Sequence, residues 1–404
     1  MIRLLTFSSL FPSSIRPGHG IFVETRLREL LASGQVEAKV VAPVPWFFST
    51  DEQRWGERAR MARTPARETR NGIEVLHPRY PLLPKVGMTL APLGMAMGAL
   101  PALRKLIDEG YDFDAIDAHY FYPDGVAAAL LARHFGKPFT ITARGSDLNL
   151  ISKFALPRRM MQWAAARAAA CIGVSQALVD VMRGLGFDAR RLHVMRNGVD
   201  LQRFRPMDAG QARAELGFQE DSPLLLSVGN LVELKGHALL IDALARLLPA
   251  HPRARLVIVG EGPERAALLE RARERGVAER VTLAGTVPNV ELFKWYAAAD
   301  VSLLASSREG WANVLLESMA CGTPVVATAV GGSPEVVSAE VGRLVTERSG
   351  EAFAAAIAAV LAGPPARASV RAYAERFGWQ ATTEAQLAVF DGLARAGAKE
   401  YAHA

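Results

Sequence analysis

The chain alternates short, uninterrupted apolar runs with longer stretches whose apolar residues recur every three or four positions. The rhythm is clearest in the second half. Runs rich in Val, Ile and Leu at Leu224–Val228, Leu256–Val259, Val281–Leu283, Val301–Leu304 and Val325–Ala327 read as strands buried on both faces. Helices are expected between them at Ala238–Leu248, Glu264–Arg275, Val290–Ala298, Asn313–Ala320 and Pro334–Val337. In the first of these, Leu239, Leu240, Ala243, Leu244 and Leu247 share one apolar face. Such alternation builds a doubly wound α/β domain around a parallel sheet.

The first half repeats the pattern less cleanly. Strands are expected at Arg3–Phe7, Ala38–Val41, Ile73–Leu76, Ala115–Asp117, Phe139–Thr142, Cys171–Val174 and Leu192–Met195. Helices are expected at Phe22–Ala32, Gly125–His134, Arg158–Ala169 and Gln176–Leu185. The expected fold class is therefore α/β, with two tandem Rossmann-like doubly wound domains facing a cleft. A turn-forming run, Asn197-Gly198-Val199-Asp200, followed by Phe204-Arg205-Pro206, sets the boundary between residues 1–200 and 201–375. In residues 376–404 a helical pattern from Trp379 to Ala394 has no strand after it, and this helix is expected to pack back across the domain junction.

Composition suits a globular chain of 404 residues, half of them apolar and 22% charged. Cys171 and Cys321 stand far apart among small apolar residues, with no His or Cys at metal-ligand spacing. They read as two reduced core thiols of a cytoplasmic protein, and no metal or disulfide framework is expected. Net charge is +6, from 47 basic and 41 acidic residues, and only eight of the basic ones are Lys. Most Arg are mixed with acids; the densest run, Arg54 to Arg70, interleaves Glu57 and Glu68. No zinc-finger spacing, RNA-binding signature or basic zipper occurs, so nucleic acid is set aside in favour of a membrane face or a phosphate-bearing ligand.

Val86–Leu103 is free of charge, but Pro92, Pro101, Gly87, Gly94 and Gly98 interrupt it, against a membrane crossing. With Met88, Met95 and Met97 inside and Arg79, Lys85, Arg104 and Lys105 at its flanks, it reads either as a core helix or as one resting on anionic headgroups. The N-terminal run LLTFSSLF is short and lacks a small-residue cleavage site, so a first strand is expected there rather than a targeting segment.

In open α/β sheets ligands bind beyond the carboxyl ends of the strands, which directs attention to two loops. In Ser227–His237, Gly229 and Gly236 let backbone approach an anion, and Lys235 adds a charge just before a helix N-terminus. In Ser306–Pro324, Glu309 and Glu317 stand eight residues apart. A helix beginning at Glu309 would separate them by about 12 Å. That is too far for the glycosidase pair, at about 5 Å, but suits two carboxylates holding opposite ends of one extended ligand. Free N–H groups of Asn313, Val314 and Leu315 would face an anion between them. Hydroxyls, two phosphates and a ribose, the parts of a sugar–diphosphate–nucleoside, match that layout.

From Glu309 to Glu317, continued by ACGTPVVAT and Gly331-Gly332, the chain resembles the EX7E signature of the retaining glycosyltransferases of family 4, whose fold is the two-domain GT-B. Asn197-Gly198-Val199-Asp200, Lys235-Gly236, VIVGEGPE at Val257–Glu264, AGTVPN at Ala284–Asn289 and AERFGW at Ala374–Trp379 are in the same register, so the resemblance covers nearly the whole chain. The segment FPSSIRPGHGIFV is similar to the loop by which such enzymes present glycines to donor phosphates, and to a subgroup acting on cell-envelope polymers of the teichuronic-acid type.

The resemblance implies an N-terminal acceptor-binding domain, a C-terminal nucleotide-sugar-binding domain, and a role for each matching residue. Glu309 contacts sugar hydroxyls near the reacting carbon, and Glu317 accepts hydrogen bonds from the ribose. Lys235 and the Asn313–Leu315 amides hold the diphosphate, with Gly229, Asn230, Val287 and Gly310 completing the donor site. Gly18 and Gly20 approach the phosphates from the other domain. His119 matches the family's N-terminal active-site histidine, which implies a catalytic-site role in binding the transferred sugar or positioning the acceptor; alone, a histidine at a strand end is more often structural. Many members carry Arg where Asn230 stands, and Arg144 is the candidate to replace that charge, to touch the acceptor, or to pair with Asp147. The implied reaction uses no metal or cofactor. It moves a hexosyl group from a nucleotide sugar to a glycan or lipid-linked acceptor. Val86–Leu103 and the Arg content, rather than the resemblance, raise the expectation that the cytoplasmic protein sits peripherally at the inner face of the membrane. Two other readings keep the fold: a non-hydrolysing sugar-nucleotide epimerase, and an inactive partner in a polymer-assembly complex.

Overall fold

Apolar runs alternate with amphipathic ones to give two large sheets, each wrapped by the helices that connect its strands, and one two-stranded ladder beside the first. The computed structural model describes residues 1–82, 87–218 and 222–401. One unit is Met1–Asn197 together with the helix Gln380–Tyr401; the other is Gly198–Trp379.

The first unit carries β1 (Ile2–Phe7), β2 (Val36–Val41), β3 (Val44–Pro45), β4 (Arg67–Arg70), β5 (Ile73–Leu76), β6 (Arg79–Tyr80), β7 (Ala115–His119), β8 (Phe139–Ala143), β9 (Ala170–Gly173) and β10 (Leu192–Val194). Eight of these form one sheet in the order β10-β9-β8-β7-β1-β2-β5-β4. The strands β7, β8 and β9 are buried at every position, as continuous apolar runs between two helical layers must be. The sheet is parallel except for β4, which runs antiparallel to β5. Asn71 at φ 48° and Gly72 at φ 79° turn the chain between them, the paired left-handed backbone of a tight hairpin.

The uncharged stretch forms the helix Gly87–Asp108, with Pro92 and Pro101 inside it. Gly94 and Gly98 lie against the backbone carbonyls of Pro81 and Arg79, so this face rests on β6. Met95, Ala99 and Leu103 are buried while Leu90, Leu93 and Met97 are exposed. Lys85 and Val86 lie outside the described residues. The helix Gln380–Tyr401 belongs to the first unit's core, where Phe390, 1% exposed, packs among Ile2, Leu4, Leu30 and Ala115.

The second unit carries β11 (Leu224–Val228), β12 (Arg255–Val259), β13 (Val281–Gly285), β14 (Val301–Leu304), β15 (Val325–Thr328) and β16 (Gly342–Val345). All pair in parallel, in the order β13-β12-β11-β14-β15-β16. Leu240, Ile241 and Leu244 pack with Phe353 and Ile357 in its core. The strand β16 and the helices Ala209–Leu216, Gly350–Ala362 and Arg367–Glu375 extend the alternation beyond the expected elements.

Strand order reverses between β1 and β7 in one unit and between β11 and β14 in the other. Loops diverge at such points and leave a crevice at the carboxyl ends of the strands.

Candidate active site

In the second unit, the chain leaves β11 with the Gly229 N–H donating to the Val259 carbonyl at 2.9 Å. It makes one tight turn at Glu233–Lys235 and enters the helix His237–Leu247 through Gly236 at φ 66°. Any side chain at Gly236 would overlap the Ala305 carbonyl, so glycine serves both the backbone angle and the close approach of the loop after β14. At Gly229 a Cβ would meet only the Lys235 stem at ordinary contact distance. His237 is buried and neutral, its pKa held down to about 4 by burial; Nε2 donates to the Asn230 carbonyl at 3.2 Å.

Arg348 ties this loop to the one after β14. Its Nε donates to the Ala305 carbonyl at 2.8 Å and its Nη2 to the Glu233 carbonyl at 3.3 Å. Where the loops meet, Lys235 Nζ donates to Glu309 Oε1 at 2.6 Å, with the side chains 22% and 12% exposed. The Glu309 backbone is fixed by Gly331 at φ 54°, where any side chain would overlap the Glu309 carbonyl.

The helix Asn313–Ala320 begins four residues beyond Glu309, so the 12 Å expected for one continuous helix does not apply and only Glu317 is helical. Two of the three amides expected to be free are engaged. Asn313 N–H donates to the Trp311 carbonyl at 3.1 Å and Leu315 N–H to the Ala312 carbonyl at 3.0 Å, because the chain tightens as the helix starts. Val314 is the remaining member of the set. The Tyr296 hydroxyl donates to Glu317 Oε2 at 2.9 Å. Burial raises the Glu317 pKa to about 7, against the opposing pull of the Tyr296 hydrogen bond and the Arg203 charge. Gly310 is buried, Val287 half-buried after β13, and Asn230 exposed. Arg308, beside Glu309, is exposed and makes no ion pair among the described residues; sequence reasoning passed over it.

In the first unit, the loop after β1 is anchored to the loop after β7. Ser8 Oγ donates to the His119 carbonyl at 3.1 Å, and Ser9 donates to the Asp124 carboxylate through its N–H and through its hydroxyl, the latter at 3.0 Å. Burial raises the Asp124 pKa to about 7. Gly20, at φ 69°, has no room for a side chain against the Leu10 carbonyl, so packing alone explains it. Gly18 is exposed with open space around it.

His119 ends β7 and is buried, with both ring nitrogens engaged. Arg144 Nη2 donates to Nδ1 at 2.6 Å, and Nε2 lies 3.1 Å from Asp117 Oδ2. Only an Nε2–H tautomer satisfies both partners. Burial holds the His119 pKa down to about 4; the Asp117 charge opposes this and the Arg144 charge adds to it. The Arg144 guanidinium also reaches Asn197 Oδ1 at 3.1 Å. It does not pair with Asp147, whose carboxylate instead accepts the backbone N–H groups of Phe121 and Gly145, each at 2.7 Å. Tyr120, next to His119, sits at φ 83°, a strained backbone for a residue with a side chain.

A cavity of about 260 Å³ opens beside this network, lined by Ser9, Arg16, His19, Met61, Thr64 and Tyr80 among others. The Tyr80 side chain is 6% exposed and its hydroxyl makes no hydrogen bond among the described residues. None of these lining side chains was singled out from the sequence. They come from segments up to 71 residues apart; Arg16 and His19 fall in the FPSSIRPGHGIFV segment, which was read for its glycines, and no local spacing marks the others.

Two family models match this chain: Glycosyltransferase Family 4 over residues 25–203, and Glycosyl transferases group 1 over residues 208–377. The chain is 40% identical over 221 residues to the D-inositol 3-phosphate glycosyltransferase of Segniliparus rotundus, covering 52% of this chain and 49% of that protein. It is 33% identical over 336 residues to D-inositol 3-phosphate glycosyltransferase 1 of Catenulispora acidiphila, covering 76% and 80%. It is 29% identical over 360 residues to a Bacillus subtilis protein whose name reads "Putative teichuronic acid biosynthesis glycosyltransferase TuaC", covering 88% of each. Among solved structures, the sucrose-phosphate synthase of Thermosynechococcus elongatus superposes with TM-score 0.77 at 22% identity, over 98% of this chain and 100% of that one. Anabaena HepE in complex with UDP superposes with TM-score 0.72 at 20% identity, over 97% and 100%.

Proposed function

This chain belongs to the glycosyltransferases of family 4, with the GT-B fold, and we propose that it transfers a hexosyl group from a nucleotide diphosphate sugar to an acceptor hydroxyl with retention of configuration. The observation that carries the donor assignment is the Lys235–Glu309 pair, an ammonium and a carboxylate brought together at the switch point of the second sheet. Lys235 supplies positive charge to the diphosphate, and Glu309 turns to hydroxyls of the transferred sugar. Glu317, with one oxygen held by Tyr296, accepts from the ribose. Val314 N–H, rather than all three amides, faces the phosphates, and exposed Arg308 is the nearest substitute in that loop for the Arg absent at Asn230.

In the reaction the bond from the anomeric carbon to the donor phosphate oxygen breaks while the acceptor oxygen bonds that carbon on the same face. The acceptor proton passes to the departing phosphate oxygen. Lys235 stabilises negative charge where it develops, which is where a fixed donor contributes most. No metal is required by this scheme, so excess chelator should leave turnover unchanged. His119 positions Arg144 instead of exchanging protons, since both of its ring nitrogens are occupied. The cavity beside Tyr80 is proposed as the seat of the acceptor's ring. The relatives' names and the UDP in HepE make uridine donors, phosphorylated cyclitols and lipid-linked glycans the first substrates to try. Two buried free thiols fit a reducing compartment.

Thermal melts with UDP, GDP, ADP and TDP sugars identify the donor, since a ligand of the folded state alone raises the melting temperature. Proton NMR of the product with that donor then reads the anomeric configuration. Retention of configuration and transfer only with acceptor present support the assignment. Inversion contradicts it, and isomerised donor without acceptor points to an epimerase.

A further inference from the structure

Exposed large apolar side chains are unevenly placed. Among the described residues, Leu269 and Val290 are exposed in the second unit, whereas the first unit exposes Met1 and clusters the rest of such residues in three segments. On the helix Gly87–Asp108, Leu90, Leu93 and Met97 are 45%, 49% and 55% exposed and fall on one stripe at helical spacing. After β3, Trp46 and Phe48 are 60% and 63% exposed, and Phe48 stacks edge-on against Trp55 at 5.1 Å. Before and at the start of the helix Ala155–Ala165, Leu150, Phe154 and Leu156 are 39%, 50% and 48% exposed.

Contacts join the three segments into one face. Trp46 N–H donates to the Tyr80 carbonyl at 2.7 Å, which sets Trp46 beside Pro81 and exposed Leu82. Pro81 in turn contacts Gly94 of the long helix. At that helix's other side, the Tyr122 hydroxyl donates to the Thr89 carbonyl at 3.4 Å and lies 3.9 Å from Met160 Sδ on the helix Ala155–Ala165.

Charge selects the occupant. Lys153, Arg158 and Arg159 are exposed without ion pairs among the described residues, and no acid occurs from Leu148 to Val179. The sequence from Tyr80 to Ile107 also lacks acids. Around Trp55 the balance is mixed, with Asp51, Glu52 and Glu57 among Arg54, Arg58 and Arg63. A second copy of the chain would bring the same uncompensated cations against these, so like charges would meet.

We propose that this face of the first unit rests on an anionic lipid surface, with Leu93, Phe48 and Phe154 at the headgroup–acyl boundary and Lys153, Arg158 and Arg159 against lipid phosphates. The long helix lies in the plane of the surface and does not cross it, because its opposite stripe is buried on β6 and beside Tyr122. Tangential helices of this kind combine apolar insertion with attraction to anionic headgroups.

Flotation of the full chain with phosphatidylcholine vesicles, with and without phosphatidylglycerol, tests this directly. Binding is expected only with phosphatidylglycerol, and Leu93→Ser with Phe154→Ser should weaken it at least about tenfold. Arg158→Glu with Arg159→Glu should weaken it by a similar factor, about tenfold or more. All four positions are exposed, so melting temperature and nucleotide-sugar binding should stay at wild-type levels, separating this proposal from the transfer reading. Absence of flotation, or flotation indifferent to these changes, overturns it. Self-association in lipid-free sedimentation that both variants abolish, without any flotation, assigns the face to a second copy and overturns it equally.

Discussion

Lys235 and Glu309 lie 74 residues apart yet share a 2.6 Å hydrogen bond, which makes each the other's counter-ion before any donor arrives. Lys235→Ala should cost at least about tenfold in turnover, the scale of losing one transition-state donor; unchanged steady-state kinetics would remove the phosphate role from this residue. Glu317 carries a different signature. Its folded pKa is raised to about 7 from 4.5 by burial, so the native protein retains a proton that the unfolded chain loses across that window. Stability therefore declines as pH rises through it. Glu317→Gln should abolish the decline and stabilise the protein near pH 8 by on the order of 1–3 kcal/mol, with little gain near pH 5, as read by urea unfolding. His119 has the opposite shift, down to about 4, and its ring signals should stay flat in NMR titration from about pH 5 to 8; movement in that range would mean that a nitrogen is free.

At the scale of elements, the two loops proposed to hold the donor were legible because their chemistry is local. A strand end, glycines, one lysine and a helix start occur within a dozen residues. The helix starts at Asn313, where the apolar pattern set it, so Glu309 and the residues to Ala312 form loop; what the pattern did not show is that the tightening there takes up two amides. The hairpin turn at Asn71-Gly72 was not read from the sequence, and β4 adds an antiparallel edge. The histidine site was legible only as a strand end, since its partners Asp117, Arg144 and Asn197 converge through folding. Gly331 shows how a residue distant in sequence can set the site. Gly331→Ala would force a side chain onto the Glu309 carbonyl at positive φ, so both the melting temperature and donor affinity should fall, by about 1 kcal/mol or more in stability. Donor affinity left intact in that variant would show that the Glu309 loop tolerates displacement.

Across the whole molecule, the two sheets follow one plan, with a reversal of strand order at the centre of each. Alternating apolar runs announce that plan because strands buried on both faces need few residues to declare themselves. The division of the chain was harder to read, since a helix at residues 380–401 completes a core begun at Ile2. Phe390→Ala should cost the first unit about 3–5 kcal/mol. Calorimetry should then show its transition moving to lower temperature, while the transition of Gly198–Trp379 holds.

Because Phe390 closes a cluster that contains Ile2 and Leu4, a ribosome making this chain finishes its middle first. The segment Gly198–Trp379 has every strand it needs once it emerges, whereas Ile2 and Leu4 wait for Phe390 to follow them out of the ribosome. A nascent chain paused shortly before residue 390 would therefore expose an unfinished amino-terminal core beside a mature neighbour, and chaperones would find their clients at the older end.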